Sequence, residues 1–256
     1  YEYDSQNIAF WSETENQYIC YFRRLINGLR SFSRSSSKDF ESWSTPINIF
    51  PNLEGEHLYT SGIQPYFRAT HIYIGLSTRF FPENGNSTDI VLISSRDGVK
   101  FDRTFKEAFI RPGLDPGKWE NRSNYITLNL VPLDESYMGI FARNSLYKIR
   151  MDGFSSVNSG FKGGFFITKP FKFMGNTMDI NYATSAGGFI GIEILDENNE
   201  RLINGLRYSS EKIIGDEIAG KVKWQKSLDL ASIEGKIIRL RITMKEADLY
   251  SFKFNN

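Results

Sequence analysis

The residues best suited to chemistry crowd into one stretch, Glu54 to Tyr66. It holds two carboxylates (Glu54 and Glu56), His57 as one of only two histidines, the phenols Tyr59 and Tyr66, and Gln64. Cleaving a glycosidic bond generally takes two carboxyl groups. One has a raised pKa and protonates the leaving oxygen; the other attacks, activates water or steadies the oxocarbenium-like charge. Glu56 is the candidate acid, because the apolar and aromatic neighbours Leu58 and Tyr59 would desolvate it and raise its pKa. Glu54 is the alternative. His57 could donate to a sugar hydroxyl or hold Glu56. Asp4 is the candidate partner, placed to support the oxocarbenium charge or orient the sugar. Around these two candidate catalytic residues, the amides of Gln6, Asn7 and Gln64 can each donate and accept, which suits sugar hydroxyls. Arg23 can bind a carboxylate or sulfate bidentately, which admits an acidic sugar, although a surface salt bridge is the commoner fate. The Pro/Gly-rich loop from Arg111 to Tyr125 suits a pocket wall. Trp119 or Tyr125 would stack on a sugar face, and Arg122 and Asn124 would hydrogen-bond its hydroxyls. Each of these residue types is also at home in an ordinary polar loop.

What must position them is a repeat. Ser37, Asp39 and Trp43 align with Ser95, Asp97 and Phe101, all 58 positions apart, as are Gln6 and Gln64. A weaker third copy surrounds Asp152 and Gly153. Each copy reads as strand, Asp-containing tight turn, aromatic, strand, with the Asp accepting from the turn's own backbone. Asp39 and Asp97 are therefore structural. Ahead of each turn come strand-like runs: residues 7–11, 17–22 and 29–35; then 63–66, 71–76 and 89–94; then 124–130, 136–141 and 146–150. Three or four short strands in every ~50 residues are the signature of propeller blades. Three units do not close a propeller, which takes roughly 4–8 blades. With Tyr1 rather than Met at the start, a missing N-terminal segment is expected.

After Val157 the pattern changes. A Gly-rich linker, residues 158–164, leads into six further strands with apolar/polar alternation, which predict an antiparallel β-sandwich of about 95 residues. The chain thus reads as all-β in two domains, propeller blades over 1–160 and a sandwich over 161–256.

Composition narrows the function. Aromatics are 15% of the 256 residues and the net charge is +1. That balance argues against bulk-charge binding of nucleic acid or a membrane surface, and favours a neutral ligand, carbohydrate above all. No apolar run approaches the ~20 residues of a membrane span. Cys20 is the sole cysteine, so the chain forms no internal disulfide, and its apolar setting predicts an inert thiol. With only His57 and His71 beside it, no zinc site is legible. The acidic pair Asp216 and Glu217 is thin material for calcium. No metal or cofactor is expected.

A β-propeller followed by a β-sandwich resembles the glycoside hydrolases of families 32 and 68, and families 43 and 117 share the five-bladed propeller. The stretch Tyr3-Asp4-Ser5 resembles their Arg-Asp-Pro motif, with Tyr3 and Ser5 in place of Arg and Pro. Glu56-His57 resembles their Glu-Cys pair, with His57 in place of Cys. The resemblance implies a site in the axial funnel, Asp4 as stabiliser, Glu56 as acid, and a third carboxylate from sequence upstream. The wider pattern, through Glu-His-Leu-Tyr to the closing Asp-Leu-Tyr-Ser-Phe, is similar to bacterial proteins described as glycosidase-like. It implies a hydrolase of poly- or oligosaccharides, extracellular or periplasmic. A non-catalytic carbohydrate-binding propeller and a structural scaffold are the alternatives. The segment 95–101 also resembles the Asp-box of sialidases, which is a structural turn.

Overall fold

The structure, a computed structural model, describes residues 4, 6–201, 203, 207–225 and 229–256. Tyr3 and Ser5, which flank Asp4 in the motif above, lie outside them. The described residues form strands in several antiparallel sheets, with three short 3-10 turns and no α-helix. No helix among them is long and apolar enough to cross a membrane.

The chain divides into two compact units, Tyr1–Leu133 with Met138–Lys148, and Asp134–Tyr137 with Ile149–Asn256. The first unit opens with a four-stranded meander: β1 (Ile8–Ser12), β2 (Gln17–Ile26), β3 (Leu29–Ser37) and β4 (Ile47–Ile49). The second sheet pairs β5 (His57–Thr60) and β6 (Ile63–Tyr66) with opposite halves of the long β7 (Ala69–Phe81), followed by β8 (Ser87–Ser95) and β9 (Phe101–Asp102). A third, three-stranded meander comprises β10 (Ile126–Pro132), β11 (Tyr137–Ala142) and β12 (Ser145–Arg150).

The 58-residue repeat is realised atom for atom in its turns. Asp39 Oδ1 accepts from the backbone of Glu41 and Ser42 at 2.9 and 2.7 Å, and Asp97 Oδ1 accepts from Val99 and Lys100 at the same two distances. Ser37 and Ser95 each accept from the backbone three residues on, at 2.9 Å. These bonds stabilise the charged carboxylates, so Asp39 sits at about 2 and Asp97 below its ordinary value. Phe40 and Gly98 share the left-handed conformation, φ 66° and 68°. The third copy is a different turn: the positive φ falls on Asp152 itself, and its carboxylate accepts from Ser251.

A core of Ile19, Tyr21, Phe32, Leu58, Tyr73 and Val91 joins the first two meanders. Polar groups tie the same elements: Ser12 Oγ lies 2.8 Å from Tyr73 Oη, and Tyr21 donates to the carbonyl of Gly98. Cys20 is half-buried and its thiol is pushed up by burial.

The second unit is one seven-stranded sheet. Its spine is two long antiparallel strands, β16 (Thr177–Asp196) and β19 (Ile237–Asn255). Each runs through what reads in the sequence as two shorter strands. Both kink at the same place, where the register jumps between Thr184 and Phe189. Gly188 makes the kink possible, since a Cβ there would stand 2.4 Å from the carbonyl oxygen of Glu246. β13 (Val157–Ser159), β14 (Gly164–Ile167) and β15 (Phe171–Lys172) pair with β19; β17 (Tyr208–Ser209) and β18 (Asp216–Lys221) pair with β16. Their apolar faces close over Ile180, Tyr182, Ile192, Tyr208, Leu240 and Ile242. Trp224 packs at the margin of this core.

Candidate functional site

The candidate residues part into two groups, one around Tyr59 and one around Glu56. Strand alternation turns Leu58 and Thr60 into the core and leaves His57 and Tyr59 half-buried. The register to β7 breaks between Leu58 and Thr60, so Tyr59 is the extra residue of a β-bulge. A bulge re-aims the side chain it carries. Gly62 then lets the chain step from β5 to β6 at φ 57°, passing so close to β7 that a Cβ would lie 2.3 Å from the carbonyl oxygen of Leu76.

Tyr59 is the hub of the first group. Its ring meets Phe80 and Tyr125 edge-on, at 5.6 and 5.5 Å between centroids. Three guanidinium carbons lie over it: Arg23 at 4.6 Å, Arg30 at 5.3 Å and Arg122 at 5.7 Å. Arg30 and Arg122 also lie over Phe80, at 4.9 and 5.5 Å. Arg23, only 6% exposed, pairs with the exposed carboxylate of Asp4. Burial alone would push the Tyr59 phenol up. Hydrogen bonding with Arg23 and Tyr125 and the positive charge of Arg23 and Arg122 outweigh it and hold the phenol below its ordinary value. Burial and the neighbouring Tyr59 oxygen push Tyr125 the other way.

His57 borders this group, facing Phe80 across the ladder with ring centroids 6.1 Å apart. Its Nδ1 accepts from the backbone N–H of Arg30 at 3.1 Å. Burial, with the charge of Arg30, lowers its pKa, so the ring is neutral at pH 7 with its proton on Nε2.

Glu56 belongs to the second group. Arg103 donates to both of its carboxylate oxygens, at 2.7 and 3.0 Å, and the backbone of Leu53 donates at 3.0 Å. Arg79 stands 3.8 Å away, itself paired with Asp89. Burial favours the neutral carboxyl, but Arg103, the Leu53 N–H and Arg79 prevail and keep the pKa below its ordinary value. The rise expected from Leu58 and Tyr59 is thus reversed: Glu56 stands as an ionised staple. Arg103 extends the staple to the carbonyl of Pro51, while Asn52 clasps the carbonyls of Glu56 and Arg30, each at 2.8 Å. Glu54 is exposed in the turn before it.

The loop of residues 111–125 is divided. Arg122, at φ 53° and with its N–H on the carbonyl of Asn86, joins Tyr125 at the hub. Asn124 is a buried clasp: Nδ2 donates to the carbonyls of Thr88 and Lys118, both at 2.6 Å. Trp119 is exposed and donates to the carbonyl of Gly113. Lys118 anchors the loop to Ser145 and Tyr147 of β12. Gln6 donates to the carbonyl of Ile126, and its Oε1 is buried without a partner among the described residues. Asn7 is exposed ahead of β1. Gln64 stands on β6, beyond the step at Gly62, and makes no hydrogen bond to the hub among the described residues.

Sequence reasoning names Tyr59, Arg23, Arg122 and Tyr125 but misses Arg30, Phe80 and Arg103. For Arg30 a signal existed. Asn27-Gly28 is a two-residue hairpin turn, with φ 52° and 78°, and it pairs Leu25 with Arg30 and Arg23 with Phe32. That register puts Arg23 and Arg30 diagonally on one face. No group of three or more His, Cys, Asp or Glu among the described residues is placed to hold a metal ion. No protein-family model matches the chain, and no curated protein matches it.

Proposed function

We propose that the Tyr59 face binds carbohydrate, on a scaffold of glycosidase-like propeller blades. In this reading the three meanders are successive blades of a five-bladed propeller and the second unit is a β-sandwich. The observation that carries it is the hub itself: one tyrosine ring, offered by a bulge, edged by Phe80 and Tyr125 and ringed by arginine donors. Sugars are recognised by an apolar ring with a few fixed polar groups around it. His57 adds an Nε2 donor whose orientation is fixed by the Arg30 backbone. A glycan-panel binding screen of the chain beside Tyr59→Ala tests this. Binding by the parent and at least tenfold weaker binding by the variant is the expected result.

A second reading, hydrolysis of the bound glycan, rests on one observation: Arg23 touches both the Asp4 carboxylate and the Tyr59 ring. In that reading Asp4 steadies the oxocarbenium charge. Glu56 must leave Arg103 and take up a proton from solvent before it can protonate a leaving oxygen. Product release measured for Asp4→Asn and Glu56→Gln separates the two readings, since binding alone survives both changes.

A further inference from the structure

The hub carries more positive charge than it matches. Arg23 has Asp4. Arg30 and Arg122 lie over the same two rings, yet no carboxylate is recorded within 4.0 Å of either among the described residues. Three cations around one ring repel one another unless an anion joins them. The rings do not supply one: a guanidinium stacked on an aromatic uses its flat face and keeps its N–H donors for another partner. Arg23 Nη1 is buried with no hydrogen-bond partner among the described residues. Arg122 is held at a positive φ, a conformation that costs of order 1–3 kcal/mol and persists only where the surroundings impose it.

We infer that Arg30 and Arg122, stacked on Phe80 and Tyr59, form a clamp for the carboxylate or sulfate group of an acidic sugar. This deepens the carbohydrate reading and rests on it. Arginine suits the task because its planar fork matches the two oxygens of a carboxylate or sulfate. The sugar ring then lies against Tyr59, with the His57 Nε2 donor at its edge. The net charge of +1 hides this site, since its cations are balanced by acids elsewhere in the chain.

Calorimetric titration of the full chain tests the clamp with two matched pairs: oligogalacturonate against its methyl ester, and carrageenan oligosaccharide against its desulfated form. At least one charged member is expected to bind tenfold or more tighter than its neutral counterpart. The pair that shows the preference identifies carboxylate or sulfate as the group held. Arg122→Gln, an exposed change, should abolish most of that preference, weakening the charged member at least tenfold and its neutral counterpart by much less. Arg30→Gln should do the same, its circular dichroism matching the parent. Equal binding of charged and neutral members overturns the clamp and leaves the carbohydrate reading standing. A preference that survives both substitutions also overturns the clamp. No binding of any of the four saccharides overturns clamp and carbohydrate reading together.

Discussion

Arg103 grips both oxygens of Glu56, at 2.7 and 3.0 Å, with the two side chains 8% and 6% exposed. Breaking one side of such a buried pair costs about 3–5 kcal/mol, and Arg79, 3.8 Å from Glu56, makes up only part of the lost charge. Arg103→Met is therefore expected to lower stability by about that amount in urea unfolding. Arg103→Met with Glu56→Met together should cost less than the single change, because no lone charge remains.

Two titrating groups near β5 give the chain an acid-side weakness. His57 has a lowered folded pKa, so the unfolded chain takes up its proton first. Stability from this group is present above about 6.5 and is lost as pH falls from there through the folded value. Glu56, also lowered, contributes stability present above about 4.5 and lost as pH falls through its folded value. Unfolding midpoints measured down the pH scale should therefore decline in two stages. His57→Gln is expected to flatten the upper stage and leave the lower one.

Tyr59 is expected to lose its proton before Tyr73 and Tyr125, because the charge and hydrogen bond of Arg23 favour its phenolate while burial pushes the other two up. An ultraviolet phenolate titration should show an early component in the parent chain. Tyr59→Phe should remove that component, and Arg23→Met should shift it upward.

Gly62 and Phe40 test how tightly the backbone is specified. Gly62→Ala forces a Cβ against the Leu76 carbonyl at a positive φ and should destabilise by about 3 kcal/mol. Phe40→Gly relieves a left-handed φ but removes ring contacts to Tyr18 and Trp43, so its net effect should stay within about 1 kcal/mol. Gly98→Ala, at the equivalent turn position, also meets the Tyr21 hydroxyl at 2.9 Å and should cost more than Phe40→Gly. Thermal unfolding of the three variants orders these effects.

Much of the fold was legible because strands and turns are local. The Ser-x-Asp spacing marked the same turn at Asp39 and Asp97, and alternation marked most strands. What failed was continuity: β16 and β19 each cross a kink that reads in sequence as a turn, and only Gly188 lets two backbones close there. The site was legible in its parts rather than its partners. Tyr59, Arg23, Arg122 and Tyr125 could be named from type and context. Glu56 could not be separated from a staple, since its partner Arg103 lies 47 residues away. Sequence neighbours such as Leu58 said nothing of that pairing, and long-range electrostatics reversed the pKa direction that local burial implied. Phe80 was passed over because its place opposite His57 depends on the β5–β7 register.

We propose that sugar lands on the Tyr59 hub. Hydrogen-exchange mapping with and without a bound oligosaccharide tests it most directly. New protection is expected at residues 57–60 and 121–125, absent in Tyr59→Ala. Protection confined to other segments, or undiminished in Tyr59→Ala, would contradict it.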